Sequence, residues 1–150
     1  MKIHYKIIGF EPSYLEDLTS LALDLWPNHE FDEMKKSLEK NSEETHQKFF
    51  LCVFDDLPIG FIHASLRFDY VEGAHSSPVG YIEGVYVLPE FRKKGISRAL
   101  TQQAENWAKE KGCLQMGSDM EEENQMSYAY HMGVGFKEAN RVICFIKNIM

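Results

Sequence analysis

The sequence predicts a mixed α/β fold in which a central sheet is flanked by helices. Three observations lead there: strand-length apolar runs at both ends and three in succession in the middle, two helical patterns after the first run, and a helix–strand–helix–strand order in the last third. Crossover helices late in the chain imply parallel neighbouring strands there, whereas the middle runs, separated by a short turn, read as a hairpin.

The elements follow in order. Lys2 to Gly9 reads as a first strand. Pro12 opens a helix whose apolar positions Leu15, Leu18, Leu21, Ala22, Leu25 and Trp26 recur at three and four residues, and Pro27 stops it. From Glu30 to Glu44 a weakly apolar pattern (Phe31, Met34, Leu38) predicts a surface helix. Phe49 to Phe54 is a buried strand, Asp55 to Pro58 a turn, and Ile59 to Tyr70 the returning strand. Gly73, Ser76, Ser77 and Pro78 mark a loop, after which Val79 to Leu88 resumes as a fourth strand. Gly84 inside that strand predicts a bulge there. Gly95 to Lys111 carries Ile96, Ala99, Leu100, Ala104, Trp107 and Ala108 on one helical stripe. Cys113 to Ser118 then reads as strand, Asn124 to Gly133 as helix, and Arg141 to Ile149 as a last strand.

Composition narrows the function. The chain has 150 residues, 44% hydrophobic and 26% charged, which fits one domain over residues 1–150 rather than a disordered chain. A net charge of −7 repels nucleic acid and anionic membrane and favours cationic ligands. No long apolar run or signal-like start is present, so a cytoplasmic protein is expected. Cys52, Cys113 and Cys144 are odd in number, widely spaced and set among apolar neighbours. They predict buried thiols, with neither a disulfide framework nor a metal site.

Parallel sheets place ligands at the carboxyl ends of their strands, which directs attention to the turn after Leu88. There Arg92, Lys93, Lys94, Gly95, Ile96, Ser97 and Arg98 form a basic, glycine-containing turn running into the strongest helix. A helix start offers unpaired N–H groups and a positive dipole end, and glycine admits close backbone approach, so the turn is an anion site. A solvated basic helix start is the plainer alternative.

Arg92-x-x-Gly95-x-Ser97, between a strand and a helix, resembles the acetyl-CoA pyrophosphate loop of the GCN5-related N-acetyltransferases (GNAT family), with Ser97 where that pattern has Gly or Ala. Asn124-x-x-Ser127-x-x-x-His131-x-x-x-Gly135-Phe136 is similar to a second segment of the family, in which the Asn contacts the cofactor arm. Within the family, Leu25 to His29, Ser65 to Gly73, Ser77 to Pro89 and Ala104 to Lys109 look like their counterparts in aminoglycoside 6′-N-acetyltransferases. The resemblance implies the GNAT fold, with its bulge in the fourth strand, and acetyl transfer from acetyl-CoA to the 6′-amino group of aminoglycosides, without a metal. It also implies a homodimer, with Tyr70 near the partner.

Residue roles follow from the same resemblance. Glu83, a carboxylate inside an apolar strand, binds the amino sugar and acts as general base through water; a solvated edge-strand Glu is the alternative. Val85, Tyr86 and Val87 line the pantetheine arm, a backbone N–H at Val85 or Val87 holding the thioester oxygen. Trp26, His29, Tyr70 and Asp119 contact the substrate, and Glu138 is a further candidate; Trp26 fits the helix core equally well. His131 stands where the family often has a tyrosine general acid toward the departing thiolate, and either does that work or lines the cofactor site. Polyamine acetylation and a non-catalytic acyl-CoA-binding module are the competing functions.

Overall fold

The computed structural model describes residues 3–150; Met1 and Lys2, the latter assigned above to the first strand, lie outside the described residues. Residues up to Asp119 form one compact unit and Met120–Met150 a second.

In the first unit a five-stranded sheet runs in the order β1 (Lys6–Gly9), β2 (Gln47–Phe54), β3 (Leu57–Arg67), β4 (Val79–Val87), β5 (Met116–Ser118). The first four strands are antiparallel, and β4 and β5 are parallel, as the crossover helix α3 (Ile96–Glu110) requires. Strand β3 ends at Arg67, so Tyr70 belongs to the following loop rather than to the strand. Helices α1 (Leu15–Leu25) and α2 (Phe31–Ser42) bring Leu15, Leu18, Leu21, Ala22 and Leu38 onto Phe49, Leu51, Val53 and Phe61. These strand residues alternate, so they occupy one face of the sheet. Each fully buried Leu on that face contributes about 1.5–3 kcal/mol. Helix α3 covers the other face: a Cβ built on Gly80 would lie 2.8 Å from the Ala108 side chain.

Strand β4 carries the fold's main irregularity. Ile82 faces Ala64 and Gly84 faces His63, leaving Glu83 as the extra residue of a bulge. The bulge therefore falls one residue before the expected Gly84. Glycine serves packing at position 84, where a Cβ would stand 2.5 Å from the ring of Trp26.

In the second unit, α4 (Gln125–Gly133) is capped by the Asn124 side chain, which accepts from the Ser127 N–H at 3.0 Å. The strand expected over Arg141 to Ile149 is absent: residues 137–150 carry no regular structure. Its alternating apolar residues pair with no strand edge among the described residues, and alternation without a ladder leaves backbone and side chains in solvent. Ile143, Phe145, Ile146 and Ile149 are accordingly exposed. Cys144 is exposed with them, against the expectation of three buried thiols, while Cys52 and Cys113 are buried. Burial pushes the Cys52 thiol up to about 12, which keeps it protonated and inert.

Candidate active site

The register of β3 and β4 determines which side chains Glu83 meets. Alternation along β3 puts His63, Ser65 and Arg67 on the α1 side, and the register places Tyr81 opposite Ser65 on that same side. Glu83, two residues beyond Tyr81, shares this face by alternation, and the extra residue in β4 brings Gly84, opposite His63, to it as well. The result is a polar cluster on a sheet otherwise filled with apolar side chains.

Within the cluster the Glu83 carboxylate is heavily engaged. Its Oε2 accepts from Ser65 Oγ at 2.5 Å, Arg67 Nη2 at 3.0 Å and Arg67 Nε at 3.2 Å, while Oε1 accepts from Arg67 Nη2 at 2.9 Å. Oε1, with one donor, retains the greater accepting capacity. The Arg67 guanidinium also lies over the Tyr81 ring, 3.5 Å from its centroid. Tyr81 in turn donates its hydroxyl to Asp119 Oδ2 at 2.5 Å. Burial and the acceptor Asp119 raise the Tyr81 phenol, so it remains a donor at neutral pH.

A cavity of about 420 Å³ opens beside this cluster, lined by Glu44, His46, Gln47, His63, Ser65, Leu66, Arg67 and Glu83. His63 stacks on Phe49 with ring centroids 4.1 Å apart, and its Nε2–H donates to Gln47 Oε1 at 2.6 Å. Burial lowers this imidazole to about 4, against the opposing charge of Glu83. The unfolded imidazole titrates near 6.5, so the unfolded chain binds the proton more tightly. Stability present above pH 6.5 is therefore lost as pH falls toward 4, by at most about 3 kcal/mol. Urea unfolding at pH 7 and pH 4.5 checks this: His63→Gln should show a smaller difference between the two pH values than the parent.

The parallel ladder with β5 covers only Gly80, Tyr81 and Ile82 of β4. Beyond it, the β5-side edge of Glu83–Val87 has no strand partner among the described residues, which leaves its backbone polar groups available to a ligand. The basic turn follows this strand. Lys93 and Gly95 are left-handed, at φ 62° and 83°, and Gly95 leads directly into α3. A Cβ on Gly95 would meet nothing within 4 Å, so glycine is needed here for the backbone angle. Arg92 Nε donates to the Val87 carbonyl at 2.8 Å and its guanidinium lies over Tyr86, which braces the turn. Lys93, Lys94 and Arg98 are exposed around the helix start.

This arrangement of a bulged strand, a short parallel ladder that stops at the bulge and a basic turn into a helix is accompanied by direct sequence similarity. The acetyltransferase (GNAT) family profile matches residues 14–136. The chain belongs to the GNAT family. An aminoglycoside N(6′)-acetyltransferase type 1 from Acinetobacter baumannii is 40% identical over 144 residues, covering 95% of this chain and 98% of that protein. The enzyme of the same name from Salmonella enteritidis is 39% identical, covering 90% and 93%. Among solved structures, the aminoglycoside N-acetyltransferase AAC(6′)-Iy in complex with CoA superposes with a TM-score of 0.94 at 37% identity, covering 98% of this chain and 97% of that one. AAC(6′)-Iy has also been solved with a bisubstrate analogue of CoA and acetylneamine, matching with a TM-score of 0.93 at 38% identity and covering 97% and 99%.

On this GNAT scaffold the sequence-predicted residues separate into groups. Glu83 and Asp119 are brought into one chain of contacts through Arg67 and Tyr81. Trp26, at the end of α1, packs edge-on to Phe61 at 6.1 Å and over Gly84, serving the core while bordering the bulge. His29 is exposed, and Tyr70 is exposed with its hydroxyl donating to Glu72 at 2.9 Å. None of these three lines the cavity. In the second unit, His131 Nδ1 lies 2.7 Å from the Ser127 carbonyl, which fixes the proton on Nδ1 and leaves the lone pair of the neutral ring on Nε2. Glu138 is paired with Arg141 at 2.5 Å and accepts from the Tyr128 hydroxyl. The Arg141 contact holds its carboxyl below the usual range.

The sequence reading missed Ser65, Arg67, Tyr81 and His63. A signal was present: Ser65 and Arg67 are polar residues two apart at the end of an apolar strand, the spacing that puts both on one face. Only the register showed that Glu83 shares it.

Proposed function

We propose that this GNAT protein transfers the acetyl group of acetyl-CoA to the 6′-amino group of aminoglycosides, a modification that confers resistance. The observation that carries this reading is the polar cavity beside Glu83, to which Glu44 adds a second carboxylate, together with the open strand edge of β4 and the basic start of α3. Phosphates are met by the first-turn N–H groups of α3 with Lys93, Lys94, Ile96, Ser97 and Arg98 around them. The pantetheine arm lies along Val85, Tyr86 and Val87, where a backbone N–H stabilises the developing oxyanion. Arg92 contributes by holding the turn through the Val87 carbonyl.

The substrate amine must lose a proton before or as it attacks the thioester carbon. Glu83 Oε1 receives that proton through water, Ser65 and Arg67 holding the carboxylate by its other lone pairs. Asp119 meets a second ammonium group, with Trp26, His29, Tyr70 and Glu138 as further substrate contacts. On the resemblance alone, Asn124 contacts the cofactor arm and His131 protonates the thiolate. Acetylation removes one positive charge and one strong donor from the drug.

A thiol-release assay with acetyl-CoA tests the reading against kanamycin, a 6′-hydroxyl analogue and spermidine. Turnover of kanamycin but not of the hydroxyl analogue is the expected result. Turnover of spermidine alone would transfer the function to polyamines, and CoA binding without any turnover would favour a binding module.

We infer a cytoplasmic homodimer on the same reading. No helix among the described residues is long and apolar enough to cross a membrane. Self-association is supported by Val142, Ile143, Phe145, Ile146 and Ile149, all exposed at 67–97%. Covering them would bury an area on the order of the roughly 800 Å² per partner of a standard interface. Light scattering should give about twice the 17.4 kDa chain mass, and replacing Ile143, Phe145 and Ile146 by Ser should return the monomer mass.

A further inference from the structure

We propose that Arg67 and Tyr81 form a spacer that fixes the separation of Glu83 and Asp119, so that the site selects amines carrying a second ammonium group at a set distance from the reacting nitrogen. The inference rests on the acetyltransferase reading of the site and adds two specificity-determining residues to it.

The structure links the two carboxylates through an unbroken chain of contacts. Ser65 and the Arg67 fork immobilise Glu83, the guanidinium stacks 3.5 Å from the Tyr81 ring centroid, and the Tyr81 hydroxyl holds Asp119 at 2.5 Å. Tyr81 itself is only 7% exposed and anchored in the sheet by pairing with both Ser65 and Gly117. The ring lies over Gly117, where a Cβ would stand 3.0 Å from it, and packs with Val71 and Val79. A stacked, bidentate arginine loses few degrees of freedom on pairing, and lysine offers neither the fork nor the planar face. The carboxylate that receives the reacting amine and the carboxylate at the end of β5 are thus coupled through one rigid ring. A flexible connection would accept amines of any spacing.

Arg67 also explains how a cation comes to sit beside a site for cationic ligands. Its Nε and Nη2 donate to the Glu83 carboxylate, and with Ser65 also on Oε2 they leave Oε1 the more open atom. The reacting amine is then admitted along one direction.

The experiment compares kcat and KM for neamine, which carries several amines, and for 6-amino-6-deoxyglucose, which carries one. Tyr81→Phe keeps the stacking and deletes the hydroxyl; Arg67→Gln deletes the fork. The expected result is a loss of at least tenfold in the preference for neamine in both variants. In Tyr81→Phe the loss should fall chiefly on the neamine KM, and in Arg67→Gln on kcat as well. Arg67→Lys, which keeps the charge, should not restore the preference. Equal losses on both substrates, or a preference within twofold of the parent, would overturn the proposal and make the two residues merely structural. If Arg67→Gln does not fold, Tyr81→Phe and Arg67→Lys decide by the same criterion. A parent protein that turns over neither amine would overturn the acetyltransferase reading and the spacer with it; an active parent with unaffected variants overturns the spacer alone.

Discussion

Glu83→Gln should lower kcat for aminoglycoside acetylation by about 10²–10⁴-fold, the range a positioned general base contributes. The substitution preserves shape and an oxygen acceptor while removing the charge that takes the amine proton. CoA affinity, read by calorimetry, should stay within twofold, because the basic turn is built from Arg92 to Arg98 and owes nothing to Glu83. Fold stability should fall modestly, since Arg67 loses a charged partner but is itself 42% exposed. A kcat within threefold of the parent would place the base elsewhere.

Gly84→Val should displace α1 and lower the thermal stability of the fold. A Cβ at this position lies 2.5 Å from Trp26 Cη2 and Cζ2 and 3.2 Å from Leu25 Cδ2. Valine adds two methyl groups beyond that Cβ, so the indole must leave its place against Phe61. Overpacking of this kind costs about 1–3 kcal/mol, or roughly 3–10 °C in Tm for a domain of this size. The measurement is a thermal melt with tryptophan fluorescence, and Trp26→Leu in the same background should recover part of the loss. A Tm within 1 °C of the parent would mean that α1 is free to shift away from the sheet.

These two residues show how far the sequence could be read. Strand length, helical period and Pro or Gly boundaries located each strand and α-helix through α4, because each is governed by local patterning, though β3 starts at Leu57, inside the expected turn. Glu83 was legible as a carboxylate in an apolar strand. The exact bulge position was not, because register is a property of two strands: Gly84 signals an irregularity, but only the pairing of Ile82 with Ala64 and Gly84 with His63 places the extra residue at Glu83. Arg67 was hidden for the same reason, being sixteen residues from Glu83 in sequence and on another strand, whereas Tyr81, two residues from Glu83 on the same strand, was legible by alternation and was overlooked.

The expected final strand failed for a different physical reason. Arg141 to Ile149 has the composition of a strand, but a strand exists only against an edge, and no amount of local pattern says where that edge is. Cys144 followed the same error, since its burial depended on that pairing. At Gly95 the sequence pointed to the right residue for a different reason: it was singled out for close approach, and the structure requires glycine there for a φ of 83° at the start of α3.

Under the proposed function, Glu83 receives the proton of a 6′-amino group presented from the cavity beside it. The most direct test is the NMR structure of the product formed from neamine and acetyl-CoA. A single acetyl group on the 6′-nitrogen, formed by the parent and lost in Glu83→Gln, is the predicted result. Acetylation at another nitrogen, or an unchanged 6′-product from Glu83→Gln, would contradict it.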